Sequence, residues 1–133
     1  MTRRIVILNS LTAISSIFFD PPAFAAPSRA MRQIDMDNDG TIDLQEAKKA
    51  ASTLFDKLDR DHDGTLDRRE LAGRLNVAEF AASDPDKDGT LSKDEYLKVV
   101  EIRFNVADPD KDGTVDEKEL RSRAGQALLR LLQ

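Results

Sequence analysis

The chain has 133 residues, no cysteine, a single histidine and a formal net charge of −5. That length suits one domain behind a leader. The missing cysteine excludes disulfides and thiolate chemistry, and the acidic balance excludes nucleic acid as a partner, which needs a basic stripe. No Gly-rich phosphate loop or nucleophile motif accompanies His62, so an enzyme is not expected.

Arg3 and Arg4 open the chain as a short basic region. Ile5 to Phe19 is apolar, broken only by Asn, Ser and Thr, and Ala23-Phe24-Ala25 follows as a small-x-small cleavage site. Residues 1–25 are therefore expected to be a cleaved secretion signal peptide, and 26–133 the working domain, exported to the periplasm. The apolar stretch is too short and too polar to span a bilayer well, so no membrane association is expected after cleavage. Removing the leader leaves 108 residues with a net charge of −6. Their aromatics are Phe55, Phe80, Phe104 and Tyr96. So small a core needs another staple.

Room for a short opening helix, capped by Ser28, precedes Asp35. From there Asp-Xaa-Asp-Xaa-Asp-Gly-Thr occurs four times, each time with Glu at the twelfth position. The loops run Asp35–Glu46, Asp59–Glu70, Asp84–Glu95 and Asp108–Glu119. Each fits the EF-hand metal loop, in which positions 1, 3 and 5 offer carboxylates, position 7 a backbone carbonyl, and position 12 a bidentate Glu. That assigns Asp35, Asp37, Asp39, Thr41 and Glu46 to loop 1, and Asp59, Asp61, Asp63, Thr65 and Glu70 to loop 2. Loop 3 has Asp84, Asp86, Asp88, Thr90 and Glu95, and loop 4 has Asp108, Asp110, Asp112, Thr114 and Glu119. Glycine at position 6 takes the sharp turn that a Cβ would oppose. Position 9 holds Asp43, Asp67, Ser92 and Asp116. With these, 19 of the 25 acidic residues fall on loop positions. A solvated acidic face would not space them so. His62, at position 4, points away from the cation in this motif and reads as a surface residue.

The loop starts are 24, 25 and 24 residues apart. That leaves too little chain for each loop to own two helices, so neighbouring loops share the segment between them. Leu44 to Leu58 reads as one shared amphipathic helix, and Tyr96 to Ala107 lies on a second. Between loops 2 and 3 the pattern breaks at Gly73, and Asn76-Val77-Ala78-Glu79 forms a capping box for a new short helix. Leu120, Ala124, Ala127, Leu128, Leu131 and Leu132 are expected to form one closing helix. The fold class is all-α, a compact helical bundle. A shared helix of roughly 15 residues is ~22 Å long, so the loops at its ends cannot touch. With the two shared helices antiparallel, loop 1 pairs with loop 4 and loop 2 with loop 3, through the β-compatible residues Ile42, Leu66, Leu91 and Val115.

The short period, the leader and the loops together resemble the lanmodulins, periplasmic lanthanide-binding EF-hand proteins of methylotrophic bacteria. Asp-Pro-Asp-Lys-Asp-Gly-Thr at Asp84 and Asp108, with Pro85 and Pro109 at position 2, carries the resemblance most specifically. Phe55-Asp56-Lys57-Leu58-Asp59, Asp63-Gly64-Thr65-Leu66-Asp67 and Ala124-Gly125 add to it. The resemblance implies folding driven by lanthanide(III) ions of the La, Ce and Nd class far more readily than by Ca²⁺. Its ligands, carried onto this chain, include Asp43, Asp67, Ser92 and Asp116 beside the residues above. The departures are Met36 and Arg60 where that family has Pro, and Ser92 where it has Asp. The implied role is uptake, buffering or delivery of the metal, with a periplasmic protein of open identity as recipient. The alternative is a periplasmic Ca²⁺ buffer or sensor. A dockerin-like interaction module ranks below both, because dockerins have two repeats and Asp at position 12.

Overall fold

A computed structural model describes residues 26–133; the expected leader lies outside the described residues. Four helices there end on the first acid of a metal loop, and three begin at the ninth residue of one. Helix α1 (Arg29–Ile34) is capped by Ser28, whose hydroxyl accepts the Met31 N–H, and it ends on Asp35. Strand β1 (Thr41–Asp43) leads into α2 (Leu44–Leu58), which ends on Asp59. Strand β2 (Thr65–Leu66) is followed by an irregular turn, then by α3 (Val77–Ser83), which starts from the Asn76–Glu79 capping box and ends on Asp84. Strand β3 (Leu91–Ser92) leads into α4 (Lys93–Ala107), which ends on Asp108. Strand β4 (Thr114–Asp116) leads into α5 (Glu117–Leu120), and α6 (Arg123–Leu129) closes the chain. The first acid of every loop is thus the residue that ends a helix. The α2 and α4 helices are each shared by two loops.

Between loops 2 and 3 the helix fails because Ala72 and Gly73 both take positive φ, 47° and 76°. The expected single closing helix is two. Its apolar periodicity runs unbroken, but the Ser122 hydroxyl accepts the Gly125 N–H and starts a fresh helix there. Gly125 then packs directly on the backbone of α5.

Lys48, early in α2, pairs with Glu101, late in α4, at 2.8 Å. Asp56, late in α2, pairs with Lys93, which opens α4, at 2.7 Å. The crossed order means that the two helices run antiparallel. These exposed pairs add little stability; the seam beneath them adds more, with Phe55 and Tyr96 edge-to-face at 5.7 Å. Strand β1 pairs antiparallel with β4, Ile42 opposite Val115, and β2 with β3, Leu66 opposite Leu91. All four of these residues are fully buried. Loop 1 therefore lies beside loop 4, and loop 2 beside loop 3. Phe55, Phe80, Tyr96 and Phe104 are all in the core with the C-terminal leucines. The C-terminal segment is held by Tyr96, which donates to the Leu131 carbonyl at 2.9 Å, and by Arg103, which donates to the Ala127 carbonyl at 2.6 Å. Among the described residues no helix is long and apolar enough to cross a membrane.

Candidate metal centre

Four nests of carboxylates result. In each, one carboxylate oxygen from every member lies within 4.8 Å of the others: Asp35, Asp37 and Asp39 in loop 1; Asp59, Asp61 and Glu70 in loop 2; Asp84, Asp86 and Glu95 in loop 3; Asp108, Asp110 and Glu119 in loop 4. The position-1 acids are buried although charged. One oxygen of each accepts the N–H of the loop glycine, at 3.0 to 3.1 Å. The other oxygen, Oδ1, is buried without any hydrogen-bond partner in Asp35 and Asp108. An orphaned buried carboxylate oxygen is costly unless a cation meets it. The donors are all oxygen, with no nitrogen or sulfur among them, which suits a hard cation.

The glycines that make this turn have φ between 84° and 91° in the four loops. The residues two before them, Asn38, His62, Lys87 and Lys111, are also left-handed, at 57° to 60°. His62 is exposed. At position 5, Asp39, Asp63, Asp88 and Asp112 each accept both the N–H and the hydroxyl of the Thr two residues on, at 2.8 Å. Those bonds fix Thr41, Thr65, Thr90 and Thr114 at the mouth of each strand.

Position 9 has a second task. Asp43, Asp67 and Asp116 each accept the N–H of the closing Glu at 2.8 Å, while the Glu returns an oxygen to their own N–H. Ser92 does the same in loop 3 and also donates its hydroxyl to Glu95 Oε2 at 2.9 Å. None of the three aspartates joins the tight nests. This capping box turns the closing Glu toward its loop.

One set of groups escaped the sequence reading. The Met36 N–H donates to Glu46 Oε1 at 2.7 Å, and the Arg60 N–H to Glu70 Oε1 at 3.0 Å. Proline at 85 and 109 has no N–H to give. The sequence shows which loops lack an N–H at position 2, but not that the N–H of Met36 and Arg60 meets the closing Glu.

The crowding shows in the carboxyl acidities. Asp37 is pulled down by the Asp39 N–H, but partial desolvation and the charges of Asp39 and Glu46 outweigh this and leave it raised. Asp61 follows the same balance. Asp86 is raised first by sharing a hydrogen bond with Asp84. In loop 4 burial comes first for Glu119, and the charges of Asp110, Asp116 and Asp108 push it the same way. Groups that resist ionisation because of like charges are those a cation relieves.

The sequence profile of the EF hand family matches residues 29–49, 52–75, 77–100 and 99–122. Lanmodulin of Methylorubrum extorquens is 55% identical over 62 residues, 44% of this chain. The match spans 47% of that relative, so the chain corresponds to about half the length of the curated protein it resembles. Four profile matches fall on the four acidic nests, and between them they take in well over half of the sequence. The chain belongs to the EF-hand family, is lanmodulin-like, and is a non-enzymatic metal-binding protein.

Proposed function

We propose that this is a periplasmic EF-hand protein selective for lanthanide(III) ions, which takes up, buffers or delivers them and folds as it binds them. The buried, partnerless oxygens of Asp35 and Asp108 carry the cation reading. Likeness to lanmodulin supports the trivalent choice. Residues 1–25 serve as the cleaved export signal, and the ligands are the residues at positions 1, 3, 5, 7, 9 and 12. Physics favours the same direction. Two carboxylates ~4 Å apart repel by roughly 4 kcal/mol at an effective dielectric of 20. A loop with five of them keeps a net −3 with a divalent ion and −2 with a trivalent one, so crowded acids reward the higher charge. Four trivalent ions take the domain from −6 to +6, whereas four divalent ions reach +2. That reversal of the surface field can report loading to an acidic periplasmic partner.

The test is a pair of metal-buffered titrations with La(III) and Ca(II), read by circular dichroism, with Tb(III) emission sensitised through Tyr96 as a second readout. Compaction at La(III) concentrations orders of magnitude lower is the expected result. Equal midpoints would sink the lanthanide reading and leave a Ca²⁺ buffer or sensor.

A further inference from the structure

A groove of about 610 Å³ lies against α2. Ile34 of α1, Ala50 and Leu54 of α2, and Leu132 beyond α6 form its apolar floor. Met36 stands beside them, 48% exposed. Lys49, Thr53 and Lys57 line the groove from one row of α2, each a turn from the next. The Thr53 hydroxyl donates to the Lys49 carbonyl at 3.0 Å, so the charge of this rim is that of the two lysines. Among the described residues neither of them has an ion pair, whereas Lys48, one residue away, meets Glu101. Loop 1 shares the groove, because its closing acid Glu46 also lines it. Ile102 and Val106, one turn apart on α4, make a second exposed apolar row. Val106 lies among Asp110, Asp116 and Glu119, so that face repels an acidic segment where the groove attracts one.

We infer that the groove is the docking surface for a partner's acidic amphipathic helix, and that loading of loop 1 favours the docking. This deepens the proposal above that an acidic partner senses loading, and rests on it. A helix laid along α2 turns apolar side chains onto the floor and sets acids eight residues apart against Lys49 and Lys57, which are ~12 Å apart along the axis. The empty loop 1 opposes it with five carboxylates, Asp35, Asp37, Asp39, Asp43 and Glu46. A trivalent ion reduces their net −5 to −2, and a divalent ion to −3. By linkage, the docked acids must tighten the hold of loop 1 on its cation by the same factor. The floor is largely buried already and exposed ion pairs are individually weak, so the complex is salt-sensitive and quick to release.

A site-resolved readout of loading is built in. The N–H of Gly40, Gly64, Gly89 and Gly113 each bonds to the first acid of its own loop. The four glycine amide resonances therefore report the four sites separately.

The probe is a synthetic helical peptide with leucines on one face, flanked by glutamates eight residues apart, and a twin with lysines in place of the glutamates. Binding to the La(III)-loaded protein is followed through the side-chain methyl resonances of Ile34, Met36, Leu54 and Leu132. These should shift with the glutamate peptide, and those of Ile102 and Val106 should not. The loaded domain is positive as a whole, so local charge must be separated from total charge. Lys49→Glu with Lys57→Glu should weaken binding about tenfold; Lys98→Glu with Arg123→Glu, the same charge change at exposed positions elsewhere, should weaken it clearly less. In a La(III) titration the glutamate peptide should lower the Gly40 midpoint about fivefold, and the Gly64 midpoint less. The inference is overturned if the lysine twin binds as tightly, if the two double variants bind alike, or if the Gly40 and Gly64 midpoints move together. It also falls if the groove methyls shift on raising protein concentration alone, or with anionic phospholipid vesicles and not with the peptide; a second copy or a lipid surface is then the occupant. The same peptide on Ca(II)-saturated protein separates the two readings. Docking there, with equal La(III) and Ca(II) midpoints in the metal titrations, would keep the groove and defeat the lanthanide reading.

Discussion

Gly125→Ala should destabilise the loaded protein, although alanine is the better helix former. Gly125 lies in the first turn of α6, and a Cβ there would stand 2.3 Å from the Glu119 carbonyl oxygen and 2.5 Å from both Leu120 Cα and the Leu120 carbonyl oxygen. All three obstacles are backbone, so no side chain can rotate aside. Ordinary contact begins near 3.4 Å; the helix would have to retreat by about 1 Å. Replacing glycine in a helix gains up to ~1 kcal/mol. Overpacking costs ~1–3 kcal/mol, and immovable neighbours place this case at the upper end. The net is a loss of about 2 kcal/mol, or a fall in Tm of about 10 °C for a domain of this size. The nearest obstacle belongs to Glu119, whose carboxylate closes loop 4, so loop 4 should weaken more than the other sites. Calorimetric melting of the La(III)-loaded proteins at matched free metal checks the first claim, since free metal itself moves Tm. The Gly113 resonance checks the second. A variant as stable as wild type, or more so, would refute the close packing of α5 on α6.

Three further outcomes are expected. Without metal, nineteen converging acids oppose a core with four aromatics, so far-UV circular dichroism in chelator should show a large loss of helix; full helicity in chelator would contradict this. Ser92→Asp keeps the helix cap that Asp43 and Asp116 provide elsewhere, removes the hydroxyl donor on Glu95 and adds an anion, so loop 3 should gain more affinity for La(III) than for Ca(II). No change in either would show that position 9 does not act on the ion. Burial pushes the Tyr96 phenol from 10.0 up to about 12, against a small downward pull from Arg74 and Arg103. A group raised by folding contributes stability that is complete below its unfolded value, so this contribution should persist to pH 10 and fade as pH climbs toward 12; spectrophotometric titration of phenolate at the ordinary value would refute it.

The loops were legible because coordination chemistry fixes both residue type and spacing, and the shared helices because the interval between loops is too short for anything else. Asn76 and Glu79 announced α3 through their own side chains. The division of the last helix was not legible. Leu120 to Leu132 keeps a helical period throughout, and nothing in that period records that Ser122 turns its hydroxyl onto Gly125. The double duty of position 9 was hidden for a related reason. An Asp that caps a helix and an Asp that faces a cation are the same letter, and only the bond from the Glu46 N–H to Asp43 tells them apart.

Because α2 and α4 are each held in common, the repeats cannot be parted singly. A cut anywhere in α2 breaks the one helix that carries Glu46 of the loop before it and ends on Asp59 of the loop after it. Deleting one helix with one loop would mend the chain but leave a strand with no partner, since Ile42 needs Val115 and Leu66 needs Leu91. An unpaired strand of two or three residues is not stable alone. The architecture therefore grows or shrinks by twos, and shuffling individual hands, as a modular protein permits, is closed to it.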